Sequence, residues 1–248
     1  MFLVKSKIDG NLYALKRMNL YDFEYNNDWE HLKNEIKLHQ KLKSPFIIRQ
    51  YGYFYDTKHI YILMEYADGG SLQDYIDRKG SLSESESIDL AAQLLLSIKY
   101  LHKRKIAHRD IKPDNIMFGS DGRLKLIDFG LAKKLSKPTN SFCGTISYMS
   151  PEIVCGDQYS FDADIWAYGI VVYEMLTGDL PFHGRGDEEV FRKILQGQIS
   201  FPENISEAAK RFINRILNLQ NRVTNISVLK YDSWFFSLIG KNLEYLNK

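Results

Sequence analysis

The sequence predicts an α+β protein of two lobes within a single domain spanning residues 1–248. A small β-sheet lobe with one helix occupies residues 1–67, and a larger, mainly helical lobe occupies residues 68–248. Three observations carry this. Before Ala67, short apolar or alternating runs are separated by turn residues, the pattern of strands. One stretch in that half, from about Asp28 to Leu42, spaces Trp29, Leu32, Ile36, Leu38 and Leu42 among charges at roughly helical period. Beyond the turn-rich linker Asp68-Gly69-Gly70-Ser71, the pattern becomes mostly helical.

Taken in order, Phe2–Lys7 and Leu12–Met18 form a hairpin around Asp9-Gly10-Asn11. The helix from about Asp28 to Leu42 is stopped by Ser44-Pro45. Phe46–Tyr55 and His59–Tyr66 read as two further strands, joined by the turn Asp56-Thr57-Lys58. Ser83-Glu84-Ser85-Glu86 is a helix start with a capping-box pattern, leading into Ala91–Leu101. Ile116-Met117-Phe118 and Leu124-Lys125-Leu126-Ile127 resemble two short strands around Ser120-Asp121-Gly122.

Bulk properties exclude several classes. Thirty-three basic residues against 31 acidic ones give a net charge of +2, so no global field favours nucleic acid or acidic lipid. Two cysteines, Cys143 and Cys155, are too few for a disulfide framework and suit a reducing compartment. The most apolar run, Tyr168–Leu176, contains Glu174 and is far too short for a membrane span. A cytoplasmic location, with nuclear entry left open, is the expectation.

The most informative segment is His108-Arg109-Asp110-Ile111-Lys112-Pro113-Asp114-Asn115, followed by Asp128-Phe129-Gly130. Asp110 is a carboxylate able to take a proton from an alcohol. Asn115 and Asp128, five and eighteen positions later, are hard oxygen donors suited to Mg²⁺. Phosphoryl transfer needs such a layout: a positioned nucleophile, metal on the phosphates, and little covalent chemistry from the protein.

This run resembles the catalytic core of the eukaryotic protein kinases. The resemblance implies a bilobal kinase-like fold, ATP and Mg²⁺ as cofactors, and proteins as phosphate acceptors. Lys112 matches the serine/threonine type, where it reaches the transferring phosphate. Lys16 and Glu35 match the lysine and helix glutamate whose ion pair positions ATP. Ser141-Phe142-Cys143-Gly144-Thr145 and Tyr148-Met149-Ser150-Pro151-Glu152 look like the end of an activation segment, with Thr145 part of the catalytic set. Glu152 would pair with Arg222, and Asp164, near Trp166, would anchor the catalytic loop.

By the same resemblance, Met64 is the gatekeeper of the adenine pocket and the backbones of Glu65 and Ala67 bond the base. Val4, Ala14 and Met117 pack the faces of the base, and Ser71 lies near the ribose. Asp114 and Glu174 are acids that would favour basic residues before the target Ser or Thr. Ser141, with Thr139 as its rival, is the expected regulatory phosphosite, phosphorylated by an upstream activating kinase. Its phosphate would meet Arg109, Lys133 and His31.

Two departures from the family pattern stand out. The glycine-rich loop that cradles the phosphates is absent ahead of Lys16, and Met1-Phe2-Leu3-Val4 resembles the strand that follows it. His39 and Gln50 occupy positions behind Phe129 that are apolar in many kinases. A serine/threonine protein kinase is therefore the first reading. A truncated pseudokinase or nucleotide-binding scaffold with little activity is the alternative. Subgroup signals point both to aurora kinases (Tyr51-Gly52-Tyr53-Phe54) and to cyclic-nucleotide- and phosphoinositide-dependent kinases (Asn140-Ser141-Phe142).

Overall fold

A computed structural model describes residues 1–21 and 29–236, with the side chains of residues 29–31 outside the described set. Strands β1 (Phe2–Lys5), β2 (Leu12–Asn19), β3 (Gln50–Tyr55) and β4 (His59–Glu65) form an antiparallel sheet in the order β1-β2-β4-β3. Alternation decides which face is covered. Ile60, Ile62 and Met64 of β4 are buried against Leu32 and Ile36 of α1 (Trp29–Gln40). Each such aliphatic side chain contributes about 1.5–3 kcal/mol by leaving water.

The expected strand Phe46–Tyr55 is shorter than its apolar run. Residues 46–48 do not pair with β4. Ile48 donates its amide to the carbonyl of Leu126 at 3.0 Å, and the Leu126 amide donates to Phe46 at 2.9 Å. These two bonds cross to the opposite lobe and stitch the two halves together, while the Ile47 amide turns back to the Ser44 carbonyl at 3.3 Å.

In the helical lobe, α2 (Leu72–Lys79) starts at Ser71 and α3 (Glu84–Lys103) at Ser83, each with a reciprocal capping box, to Asp74 and Glu86 respectively. The pair β5 (Ile106–Ala107) and β8 (Lys133–Lys134) and the hairpin β6 (Ile116–Phe118) and β7 (Leu124–Leu126) frame the loops between. After α4 (Pro151–Cys155), α5 (Asp162–Thr177) runs through the centre, buried from Ala163 to Leu176. Around it lie α6 (Asp187–Gln196), α7 (Glu207–Leu217), α8 (Ile226–Leu229) and α9 (Ser233–Phe236). A Cβ at Gly169 would stand 2.6 Å from Ile216, so glycine is what lets α5 and α7 touch. No helix among the described residues is long and apolar enough to cross a membrane.

Candidate active site

The loop between β5 and β6 is held from below by one carboxylate. Asp164 accepts the amide hydrogens of His108 at 2.9 Å and Arg109 at 2.8 Å, and its Oδ2 lies 2.8 Å from Nε2 of His102. Burial pushes the Asp164 carboxyl up, but the His102 ring and the Arg109 amide together bring it below the usual range. Arg109 sits at φ +69°, a left-handed conformation costly for a side chain with a Cβ. Asp164 holds that bend. Sequence reasoning missed His102, because its partner lies 62 positions away and only packing joins them.

The bend presents Asp110 to a ring of donors. Asn115 Nδ2 donates to Asp110 Oδ2 at 2.8 Å and to its carbonyl at 2.9 Å. Thr145 donates from its amide at 3.1 Å and its hydroxyl at 2.8 Å to Oδ1. Lys112 Nζ stands 3.9 Å from Oδ2. With its amide nitrogen held by Asp110, Asn115 has its side-chain oxygen left for a cation. Gly144 makes room for this contact, since at φ +105° an added Cβ would lie 2.7 Å from the Arg109 carbonyl.

Across the cleft, Lys16 lies 3.8 Å from Glu35 and 3.4 Å from Asp128. Burial raises the Glu35 carboxyl, partly offset by Lys16. Burial also pushes Asp128 up, but the Lys16 charge and the Gly130 amide bring its carboxyl below the ordinary value. Asp128 itself holds φ +56°, another strained conformation at the same site. Behind it, Phe129 is sandwiched between two histidines, His39 at 4.4 Å and His108 at 5.1 Å between ring centroids. His39 Nε2 lies 2.8 Å from the Ile48 carbonyl, and burial lowers the ring to about 4, so it is neutral. Gln50 is buried, and both polar atoms of its side chain lack a partner. His39 and Gln50 therefore do not satisfy each other.

A cavity of about 440 Å³ fills the space between sheet and helical lobe. Ala14, Lys16, Glu35, Met64, Glu65, Ala67, Met117 and Asp128 line it; Val4 and Ser71 do not. Leu3 pairs with Ala14 in the sheet register and shares its face, whereas Val4 pairs with Tyr13. The expected residue is off by one, and a shift of one residue moves a strand side chain to the opposite face. Ser71 is committed to Asp74 at the start of α2. The Glu65 amide donates to Arg49, so a base could meet that residue only through its carbonyl.

Further out, Arg222 lies 2.6 Å from Glu152. Ser141 Oγ sits 3.0 Å from Thr139 Oγ1, and its carbonyl accepts the Tyr159 hydroxyl at 2.8 Å. Arg109 donates Nε to the Leu131 carbonyl at 2.6 Å. Lys133 is exposed in β8, opposite Ala107. Among the described residues no direct bond joins Ser141, Arg109 and Lys133, and the His31 side chain lies outside the described set. Glu174 accepts the Tyr148 hydroxyl at 2.6 Å, and burial pushes its carboxyl up to about 7, with Asp114 adding to the rise.

This two-lobed cleft, with an oriented carboxylate on one side and a lysine–carboxylate pair on the other, is the architecture of a phosphotransferase. The chain belongs to the protein kinases: the protein kinase domain profile matches residues 1–235. Its relatives place it in the serine/threonine branch. It is 35% identical over 242 residues to the human cAMP-dependent protein kinase catalytic subunit PRKX, covering 95% of this chain and 68% of that one. It is 34% identical over 228 residues to the Caenorhabditis elegans cAMP-dependent protein kinase catalytic subunit-like protein, covering 92% of this chain and 57% of that one. An aurora kinase of Encephalitozoon cuniculi is 36% identical over 223 residues, covering 88% of this chain and 82% of the relative.

Proposed function

We propose that serine/threonine protein phosphorylation is carried in this chain by Asp110, Lys112, Asn115, Asp128 and Thr145, with ATP positioned by Lys16 and Glu35. The observation that carries this is the Asp110 carboxylate, turned by Asn115 and Thr145 so that Oδ1 and Oδ2 are both oriented. Protein kinases use ATP, typically with Mg²⁺. The donor set fits: Asn115 and Asp128 offer two hard oxygen ligands, and Mg²⁺ is commonly held by one or two protein oxygens plus substrate phosphates. When bound, the ion supplies neutralisation of charge on the transferring phosphoryl group.

The chain's own residues do the rest. Asp110 orients the substrate hydroxyl and takes its proton. Lys112, 3.9 Å from Asp110, stabilises charge on the transferring phosphoryl oxygens. Glu35 holds Lys16 toward the phosphates. Met64, Ala14, Met117 and Ala67 enclose the adenine, and the Glu65 carbonyl meets its edge. Asp114 and Glu174 favour a basic residue ahead of the target Ser or Thr. A phosphate placed on Ser141 by an upstream kinase would draw Arg109 and Lys133 together and seat the segment, with Thr139 as the alternative site. The cytoplasm is the expected location.

The unpartnered, buried Gln50 amide favours a second reading, a nucleotide-binding scaffold with little catalysis. Incubating the chain with ATP, Mg²⁺ and an arginine-containing serine peptide separates the two, with Asp128→Ala as control. Phosphate incorporation by the wild type and none by Asp128→Ala supports the kinase reading. Equal incorporation by both, or none by either, would refute it.

A further inference from the structure

A second groove, of about 400 Å³, opens between the turn after α1, the start of β3 and β7, away from the residues that act on phosphate. Among its lining residues is the buried Lys125, whose side chain is 8% exposed. An ammonium carries three donors. The ion pair with Glu65 Oε1 at 2.8 Å accounts for one of them. The other Glu65 oxygen already accepts the Arg49 amide at 3.1 Å. Two exposed cations stand at the rim, Lys43 and Arg49, and among the described residues neither has a carboxylate within ion-pair range. The Arg49 guanidinium rests 5.2 Å from the centre of the exposed Tyr51 ring, which holds it at the groove wall.

The local balance is three cations, Lys43, Arg49 and Lys125, against the single anion Glu65, in a chain whose charges otherwise nearly cancel. A buried ammonium with unmatched donors beside two free basic side chains is a site built for an oxyanion. Its size exceeds that of one tetrahedral ion, and Pro45 and Tyr51 give it apolar walls suited to a peptide backbone and stem.

We propose that this groove docks an acidic segment of a protein partner, with a carboxylate or phosphate group reaching Lys125 between Lys43 and Arg49. Such docking is separate from the chemistry, so it recruits a partner without occupying the phosphoryl-transfer site.

Fluorescence anisotropy tests this on the full chain with three labelled hexapeptides: all-glutamate, the same with one phosphoserine, and glycine–serine. The acidic peptides bind, the neutral one does not, and added salt weakens the binding. The ranking of the two acidic peptides tells which oxyanion fits better. In the Lys43→Glu/Arg49→Glu double variant, affinity for the acidic peptides drops by about tenfold or more. The Lys43→Ala/Arg49→Ala pair, which adds no repulsion, gives a smaller loss in the same direction and serves if charge reversal perturbs folding. Unchanged affinity in both pairs, or equal binding of the neutral peptide, overturns the proposal. So does displacement of the acidic peptide by inorganic phosphate at matching concentration.

Discussion

Asp164 accepts the amide hydrogen of Arg109 at 2.8 Å across 55 positions of sequence, and so holds Arg109 in a left-handed bend at φ +69°. That one bond joins the buried central helix α5 to the residue before Asp110. The strain at Arg109 and the position of the Asp110 carboxylate are therefore a single structural fact.

Asp164→Ala strands the His108 and Arg109 amides in a buried site. Each orphaned donor costs about 1–3 kcal/mol, and the bend at Arg109 loses its support. Urea denaturation should show the corresponding loss of stability. Where the variant still folds, peptide phosphorylation should fall far more in kcat than in KM for ATP. A variant with wild-type kcat would show that Asp164 is not what positions Asp110.

Gln50→Leu should stabilise the protein. Both side-chain polar atoms of Gln50 are buried without a partner, and replacing them with apolar atoms of similar volume removes a penalty of about 1–3 kcal/mol. A higher midpoint in urea is the expected result. His39→Leu is the contrasting case, because the bond from His39 to the Ile48 carbonyl is lost with the ring. An unchanged or lower midpoint for Gln50→Leu would mean that the amide has found a partner in solution.

Lys16 is shared between Glu35 and Asp128 at 3.8 and 3.4 Å. Lys16→Met leaves two carboxylates facing each other across the cleft without the cation that separates them. Burial already raises Glu35, so its carboxyl should rise further. Peptide phosphorylation should fall by about 10²–10³, the scale of losing one oriented charge at a transfer site. Retention of more than a tenth of the activity would remove Lys16 from the proposed machinery.

Glu174 carries a pH signature. Burial pushes its carboxyl up to about 7, well above the usual carboxylate value. The folded chain therefore holds a proton there that the unfolded chain has already released. Its contribution to stability is present below the ordinary carboxylate range and is lost as pH rises through about 7. On the proposed role of Glu174 in receiving a basic substrate residue, the sign reverses for an arginine-containing peptide, because the cation is matched by the ionised carboxylate. KM for such a peptide should fall as pH rises from about 6 to about 8, while a peptide lacking the arginine shows no such change. Tyr148→Phe removes a bond that stabilises the ionised form, so the inflection should move to higher pH.

Much of the fold and the centre of the site could be read from residues close in sequence. Ser83 and Glu86 close a capping box within one turn, so the start of α3 is written locally. The spacing of Asp110, Asn115 and Asp128 announces phosphoryl transfer because a single loop and one hairpin carry all three. Where partners are remote, the signal fades. The apolar run at Phe46–Ile48 looks like the beginning of β3, yet the Phe46 carbonyl and the Ile48 amide bond to Leu126 of β7 in the opposite lobe. At Val4, the composition of the strand was clear but its register was not, and a shift of one residue places Leu3 on the face of Ala14.

By itself, then, the sequence determined which chemistry is present: the carboxylates, the amide and the lysine in an order that suits phosphate. Short-range geometry follows from covalent spacing, and those residues need no distant help to be recognised. Only the tertiary structure decided that Asp164 and His102 converge under His108, that Gln50 is buried unpaired, and that the buried Lys125 shares a groove with Lys43 and Arg49. Those relations depend on which faces are removed from water and which donors are left without partners, quantities that exist only once the chain has packed.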